Sequence, residues 1–240
     1  MEKPIIGIIT TPDFDRDNDP QFLIDPRFVK WVSECGGIPF AILPPRSCDY
    51  HTKGGPNPMN DAEIEDFNRI LDMCDGFIKP GGYTLTDYHK YIYNYCVKND
   101  VPYLGVCAGI QLMAFCTEEN PKLKENQNLE LHKLKGGANH EVIINPNSKL
   151  YSILGERNIT VKSSHTKHIE DVKNLLVAAI SSDNQIEALE NSNCTYNLGV
   201  QWHPESFQFD YKQSRCIFES FINSAINYKI NKDNKSYSLK

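Results

Sequence analysis

The sequence predicts an α/β protein with a doubly wound, mostly parallel sheet flanked by helices. Short continuous apolar runs indicate strands buried on both faces, as in parallel sheets. In the first half of the chain these runs alternate with segments whose apolar residues recur at helical spacing, which is the βαβ pattern. One run also ends in a Gly-x-Cys-x-Gly turn that leads into an apolar helix. Sheets of this kind bind ligands beyond the carboxyl ends of their strands, so the site is expected at that edge.

The first half of the chain supplies strands and helices in alternation. Residues 5–10 predict a strand, and the Asp- and Pro-rich residues 11–25 predict a loop. Asp25 is a suitable N-cap and Pro26 a suitable first residue for a helix that ends at Gly36-Gly37. A strand at 38–43, a Pro- and Gly-rich surface loop at 44–60, a helix around 64–71 and a strand at 76–78 follow.

The second half is predicted to be richer in β structure. Strands are expected at 140–144, 159–161, 174–180 and 186–189, several of them separated by turns rather than helices. An amphipathic helix at 216–226 then packs on the sheet, and the Lys- and Asn-rich end from residue 227 is expected to be solvated. We predict one domain over residues 1–228 and a polar C-terminal tail over residues 229–240.

Composition narrows the function. The chain has 240 residues, a net charge of −6 and a pI near 5.7, which argues against a nucleic-acid surface and favours small-molecule chemistry. The eight cysteines contain no Cys-x-x-Cys pair, so they are expected to be reduced. The N-terminal apolar run is too short for a secretory signal, and no run is long enough for a membrane span. A cytoplasmic location is the expectation.

The most informative stretch is residues 102–111, where an apolar strand turns through Gly-x-Cys-x-Gly into a helix. This is the shape of a nucleophile elbow, in which Gly105 and Gly109 remove side chains that would clash at the sharp turn. The free N–H groups at the helix start favour a thiolate at Cys107. Taken alone, the string also fits a buried core cysteine.

A second stretch favours the catalytic interpretation. Residues 198–205 predict another strand, which ends in His203-Pro204-Glu205. A thiol nucleophile needs a histidine that handles its proton, and the imidazole needs a group that fixes its tautomer. Cys107, His203 and Glu205 are therefore the candidate triad. Gly81 or Gly82, together with Ala108, is a candidate for donating the backbone N–H groups that stabilise an oxyanion.

These two motifs resemble the class I glutamine amidotransferase superfamily, and within it the stand-alone γ-glutamyl hydrolases of the γ-glutamyl-γ-aminobutyrate hydrolase type (peptidase C26-like). Residues 34–39, 75–82, 161–165 and 199–205 support the resemblance. It implies a flavodoxin-like sheet, Gly82 rather than Gly81 in the oxyanion hole, and substrate contacts from Gln111, Ser164 and His165. It also implies a small-molecule γ-glutamyl substrate and a Cys-His-Glu hydrolase that forms a γ-glutamyl thioester and needs no cofactor.

Several alternatives stay open at this stage. The chain could instead be a glutaminase subunit that supplies ammonia to a separate synthetase, or a non-catalytic binding protein on the same fold. A homodimer is also open, and the sequence does not name the leaving amine. The tyrosine-rich residues 83–95 fit helix packing better than ligand stacking, because Tyr88, Tyr91 and Tyr95 fall at helical spacing.

The histidines outside the triad predict no metal site. His165 and His168 lie close in sequence, but no third ligand accompanies them at a recognisable spacing. His140 is expected to be a hydrogen-bonded structural residue. The remaining histidines are expected at the surface: His51, His89 and His132.

Overall fold

The structure is a computed structural model that describes residues 2–45, 59–82, 85–133, 138–206 and 211–238. The strands are β1 (Ile5–Ile9), β2 (Thr11–Phe14), β3 (Pro20–Leu23), β4 (Ile38–Ile42), β5 (Gly76–Lys79), β6 (Tyr103–Val106), β7 (Leu123–Glu125), β8 (Ala138–Ile144), β9 (Asn158–Ser163), β10 (Lys167–Ile169), β11 (Leu176–Ser181), β12 (Ile186–Glu190) and β13 (Asn197–Val200). The helices are α1 (Pro26–Glu34), α2 (Asp61–Leu71), α3 (Asp87–Asn99), α4 (Ala108–Thr117), α5 (Leu129–His132), α6 (Lys149–Leu154) and α7 (Tyr211–Ser238).

The apolar runs join into one mixed sheet, in the order β4-β1-β5-β6-β13-β12-β11-β8-β9 within the described residues. The five strands from β4 to β13 are parallel, and the others pair antiparallel. The central parallel strands β5, β6 and β13 are buried along their whole length, whereas β8 alternates between buried and more exposed residues. The predicted fold class and the β-rich second half are thus confirmed.

Helices cover both faces of this sheet. One apolar core contains Trp31 of α1 and Phe218 of α7, whose rings stack at 5.1 Å between centroids. The core on the opposite face contains Phe67 of α2, Tyr93 of α3 and Met113 of α4. Most of the apolar residues that predicted α1, α2 and α7 are those that these helices bury against the sheet. This two-sided arrangement brings the carboxyl ends of β5, β6 and β13 to one open edge.

The first helix begins where its capping residue predicts. Asp25 is the N-cap, its carboxylate accepts from the Arg27 N–H at 2.9 Å, and Pro26 is the first helical residue. The helix ends at Glu34, and Gly36 then adopts a φ of +95°.

Two segments are more regular than the sequence suggests. Residues 11–25, expected to be a loop, contain the antiparallel hairpin β2–β3. The Asp15 carboxylate accepts from the Asp17 and Asp19 N–H groups and closes the turn. Helix α7 continues through residue 228 to Ser238. Within this added part of the helix, Lys232 Nζ lies 3.3 Å from Asp75 Oδ1. The predicted division at residue 228 is therefore not marked by the end of a helix.

Two histidines expected at the surface are fully buried. His89 Nε2 lies 2.9 Å from the Thr10 carbonyl oxygen, and its Nδ1 accepts from the Thr86 N–H. His132 is buried at the end of α5. The expectation for both was wrong, because hydrogen-bond partners from separate segments allow an imidazole to be buried. His51, Cys48, Tyr83 and most of the predicted 44–60 loop lie outside the described residues.

The tyrosines of α3 are packing residues, as predicted from their spacing. Tyr88 and Tyr93 are fully buried, Tyr91 donates to Asn68 Oδ1 at 2.8 Å, and Tyr95 donates to Asp72. The cysteines that the structure describes are all free thiols. In the described ranges, no helix combines the length and the apolar character needed to cross a membrane.

Candidate active site

Cys107 lies at a sharp turn between β6 and α4. Its backbone has φ 53° and ψ −101°, a conformation that non-glycine residues rarely adopt and that surrounding structure must hold in place. The Cys107 N–H donates to the Val200 carbonyl oxygen at 2.8 Å, so the neighbouring strand β13 fixes the turn. This is the geometry that the Gly-x-Cys-x-Gly string predicts.

The two glycines of the turn are required by close backbone approach. A Cβ at Gly105 would lie 2.6 Å from the Gly109 carbonyl carbon, and a Cβ at Gly109 would lie 2.4 Å from the Lys79 carbonyl oxygen. Both contacts are shorter than any Cβ tolerates, and both involve backbone that cannot move aside. The absence of side chains therefore lets α4 begin directly against β5 and β6.

His203 and Glu205 follow β13, the strand beside the elbow strand β6. His203 Nδ1 lies 2.7 Å from Glu205 Oε1, and the His203 N–H donates to the Lys162 carbonyl oxygen at 2.9 Å. A Cβ built on Gly81 would lie 3.2 Å from His203 Cε1 and 3.9 Å from Cys107 Sγ. The imidazole and the sulfur therefore meet at Gly81, on the edge of the sheet where the parallel strands end.

The charge environment favours a protonated imidazole. Burial disfavours the charged ring, but the Glu205 carboxylate and the Cys107 side chain more than offset it and raise the pKa of His203 well above its ordinary value. Glu205 is itself buried, and Arg27 Nη2 lies 3.4 Å from its Oε1. Trp31 Nε1 donates to the Glu205 carbonyl oxygen at 3.3 Å and fixes the backbone there.

Arg27 is a site residue that the sequence analysis missed. Besides Glu205, its guanidinium contacts Asp25, with Nε 2.9 Å from Oδ2. Burial raises the pKa of Asp25, but hydrogen bonds from Arg27 outweigh it and hold that pKa below its ordinary value. The sequence does contain an indication of this role: Arg27 lies in the first turn of a helix, where a cation faces an unfavourable helix dipole and needs acidic partners.

These residues open into one cavity of about 530 Å³. It brings together most of the predicted site residues, namely Cys107, His203, Glu205, Gly81, Gly82 and Ser164. The hairpin β2–β3 and the start of α1 form the opposite wall, through residues that include Thr11, Asp13 and Arg27. Lys133 also lines the cavity, and its Nζ donates to Ser164 Oγ at 3.1 Å.

The two residues expected to donate to an oxyanion occupy suitable places. Ala108 is the first residue of α4, so its N–H has no acceptor within the helix. Gly82 has φ +154°, and a Cβ there would lie 2.9 Å from Thr11 Cγ2. Their role as donors stays a prediction.

Gln111 and His165, expected to contact substrate, are not among the residues that line the cavity. Gln111 Nε2 donates to Gln201 Oε1 at 3.3 Å, just after β13. His165 is buried, and its Nε2 lies 3.5 Å from Glu187 Oε1. The loop that carries Ser164 and His165 therefore directs only the serine to the cavity, since adjacent residues point to opposite sides.

A buried lysine lies directly behind the elbow. Lys79, at the end of β5, is fully buried, and its Nζ donates to Thr11 Oγ1 and to the Pro80 carbonyl oxygen at 3.1 and 3.0 Å. Burial lowers its pKa to about 7, although the charge of Cys107 acts in the opposite direction.

Comparison with known proteins gives this geometry a family context. A family model described as Peptidase C26 matches residues 86–205, half of the chain. The gamma-glutamyl-gamma-aminobutyrate hydrolase of Escherichia coli (strain K12) is 26% identical over 254 residues, covering 92% of this chain and 93% of that protein. A CTP synthase of Chlamydia felis is 24% identical over 204 residues, covering 72% of this chain but only 38% of that protein.

Solved structures support the fold. A putative GMP synthase protein from Thermoplasma acidophilum superposes with a TM-score of 0.65 at 19% identity, covering 96% of this chain and 98% of that one. The glutaminase domain of Trypanosoma brucei CTPS gives a TM-score of 0.63 at 17% identity, covering 93% and 94%.

Proposed function

Because the chain belongs to the Peptidase C26 family, we propose that it hydrolyses γ-glutamyl amides to glutamate and an amine, with Cys107 as its nucleophile. One observation carries the proposal: an elbow cysteine faces a histidine whose second ring nitrogen lies 2.7 Å from a buried carboxylate. This is the arrangement that activates a thiol for attack on an acyl carbon.

The reaction runs in two halves. The Cys107 thiolate attacks the γ-carbonyl carbon, and the N–H groups of Gly82 and Ala108 stabilise the resulting oxyanion. The C–N bond then breaks, His203 gives its proton to the departing amine, and a γ-glutamyl thioester remains. Water, deprotonated by His203, attacks the thioester and releases glutamate, and the thiolate returns.

Glu205 and Arg27 position the imidazole. The Glu205 carboxylate accepts from the Nδ1–H of His203, which directs Nε2 towards the sulfur and the leaving amine and stabilises the charged ring. Arg27 lies beside this carboxylate and holds its charge in the buried wall. No step calls on a metal or an organic cofactor.

Charges in the cavity suit a zwitterionic glutamyl group. Arg27 and Lys133 offer cations for an α-carboxylate, and Asp13 offers an acid for an α-ammonium. Ser164, held by Lys133, adds a hydroxyl. For Gln111 and His165, by contrast, this geometry supports an indirect part in shaping the site.

A glutaminase subunit is the second candidate, favoured by the similarity to a CTP synthase that is far longer than this chain. Under it, the amine is ammonia and a separate synthetase consumes it. The free thiols fit a reducing compartment, so we also propose a cytoplasmic location. A homodimer stays a prediction.

The test is glutamate release, followed by mass spectrometry, from glutamine, γ-glutamyl-aminobutyrate, γ-glutamyl polyamines and folyl-polyglutamate. Turnover of a non-glutamine member that is lost in Cys107→Ala would support the hydrolase and identify its amine. Turnover of glutamine alone would favour the glutaminase. Turnover that survives Cys107→Ala would refute the mechanism, and no turnover of any member would favour a binding protein.

A further inference from the structure

Three buried histidines surround one buried carboxylate outside the catalytic cavity. His132 ends α5, His140 lies in β8, His165 follows β9, and Glu187 lies in β12. The distances from Glu187 Oε1 are 3.6 Å to His132 Nδ1, 3.3 Å to His140 Nε2 and 3.5 Å to His165 Nε2. Four segments that are distant in sequence therefore direct side chains to a single oxygen atom.

In His132 and His140, the ring nitrogen that faces away from Glu187 (the outer nitrogen) fixes the tautomer and therefore the state of the inner nitrogen, which faces Glu187. His132 Nε2 lies 3.1 Å from Asp183 Oδ2, and His140 Nδ1 lies 3.2 Å from the Leu131 carbonyl oxygen. Both partners only accept hydrogen bonds, so the outer nitrogens carry the protons. In the neutral rings, the inner nitrogens then present lone pairs to Glu187. A histidine that binds a metal typically donates its other N–H to a carboxylate or a carbonyl in this way.

In the part of the chain that the structure describes, the inward atoms make no hydrogen bond of good geometry, although Glu187 Oε1 lies 3.3–3.6 Å from the three ring nitrogens. This holds for the inner nitrogens of all three rings and for both carboxylate oxygens of Glu187. Burying a carboxylate against imidazole lone pairs is costly unless positive charge, from a ring proton or a metal ion, lies between them. Ligand atoms of His132, His140 and Glu187 lie within 4.8 Å of one another, a spacing that a divalent cation can bridge.

We propose that His132, His140 and Glu187 bind a zinc ion, and that His165, which lies outside this three-residue group but has its Nε2 3.5 Å from Glu187 Oε1, closes in as the fourth ligand. Imidazole nitrogens with one carboxylate oxygen suit zinc. Zinc–ligand bonds of about 2.0–2.1 Å place tetrahedral ligands roughly 3.4 Å apart, which is close to the 3.3–3.6 Å between Glu187 Oε1 and the three ring nitrogens. Four protein ligands leave no open position, so this zinc is structural and does not take part in the reaction at Cys107.

The ion would hold one wall of the catalytic cavity. Lys133 directly follows His132, Ser164 directly precedes His165, and both line the cavity. The His165 N–H also donates to the His132 carbonyl oxygen at 2.9 Å. Zinc would therefore fix the Lys133–Ser164 contact by anchoring the residues on either side of it.

The first experiment measures metal content in the full chain by inductively coupled plasma mass spectrometry, after purification without added metal and after dialysis with zinc. The expected result is one zinc per chain, also in Cys107→Ala. In His140→Gln and Glu187→Gln the affinity should fall beyond the roughly 10- to 100-fold range of outer-ligand changes. His168→Gln is the matched control and should keep its zinc, because His168 Nδ1 faces Asn126 rather than Glu187. Wild-type protein without stoichiometric zinc would overturn the proposal.

A second measurement covers the case in which the variants do not fold. Wild-type protein stripped with a chelator is titrated with cobalt(II), and the visible absorption of tetrahedral cobalt is followed. The expected result is a saturating signal at one equivalent that zinc abolishes, together with a higher melting temperature on zinc binding. A weak octahedral spectrum, or no change in melting temperature, would show a proton-holding cluster instead. Both readouts are independent of hydrolase activity, so failure of the proposed reaction leaves this test intact.

Discussion

The molecule contains two sites in which a buried carboxylate contacts histidine, and the two sites differ in the number of imidazole rings that each carboxylate contacts. Glu205 serves one ring, His203, at 2.7 Å, and that ring faces a cavity. Glu187 faces three rings at 3.3–3.6 Å and is fully enclosed. One acid with one ring next to a thiol makes a proton-transfer site, whereas one acid with three converging rings makes a ligand set. The number and orientation of the partners distinguish the two sites, since both acids are buried.

The largest expected effect separates the two acids directly. Glu205→Gln should lower kcat for glutamate release by about 10⁴-fold, because an amide cannot hold the imidazole in the required tautomer or stabilise its charge. Steady-state kinetics on the best substrate of the panel measures it. KM should change little, since Glu205 acts through His203 rather than on the substrate. A loss below tenfold would show that Glu205 does not serve as the orienting acid.

Glu187→Gln is the matched substitution at the other site. It should remove zinc yet keep kcat within about tenfold of wild type, because Glu187 does not line the catalytic cavity and the zinc would act only on the position of one cavity wall. If Glu187→Gln abolished turnover in a protein whose circular dichroism matches wild type, Glu187 would take part in catalysis and the distinction between the two carboxylates would be wrong.

The next effect concerns the backbone that supports the elbow. Gly109→Ala should lower the free energy of unfolding by about 3 kcal/mol, because its Cβ would meet the Lys79 carbonyl oxygen at 2.4 Å. Gly155→Ala is the control: φ is +69° there, but among the described residues other than its chain neighbours none has an atom within 4 Å of the added Cβ, so the cost should be about 1 kcal/mol. Urea denaturation measures both. Equal losses would show that the elbow relaxes around the new side chain.

Much of the fold and the triad could be predicted from the sequence. The continuous apolar run at residues 5–9 is buried on both faces because β1 lies inside the sheet, whereas the similar run of β4 at its edge is largely exposed. Cys107 and His203 each stand in a local motif at a strand end, and parallel strands bring such ends together.

The rest depends on contacts between distant segments. The hairpin β2–β3 is too polar to predict from its pattern, yet it supplies one wall of the cavity. His132 looks like a surface residue because it lies in a stretch rich in Asn, Lys and Glu, and only folding brings it next to His140 and Glu187. No spacing within one segment encodes a ligand set drawn from four.

A smaller effect tests the buried cation beside the catalytic site. The folded-state pKa of Lys79 is lowered to about 7 from 10.5, so between these values the unfolded chain holds the proton and the folded chain does not. The free energy of unfolding should therefore rise with pH in this window, by at most about 1.4 kcal/mol per unit.

Lys79→Met should remove that rise and should be more stable than its parent at pH 7, with the difference shrinking towards pH 10. Urea denaturation at pH 7, 8 and 9 measures it, in a Cys107→Ala background because the Cys107 charge raises the lysine pKa. Lys90→Met, at an exposed position, is the control. Parallel pH curves for Lys79→Met and its parent would refute the assigned shift.

The smallest effect links the two histidine sites through Lys133, which follows His132 and donates to Ser164 at 3.1 Å in the cavity wall. Lys133→Met should raise KM about tenfold with kcat nearly unchanged, because it removes a charged contact that the ground and transition states share. Lys167→Met, whose ammonium pairs with Glu125 outside the cavity lining, should leave both parameters unchanged. If zinc acts on binding by holding this wall, Lys133→Met and Glu187→Gln should be non-additive in KM, since the second change would act on a contact already lost. Strict additivity would show that the two sites are independent.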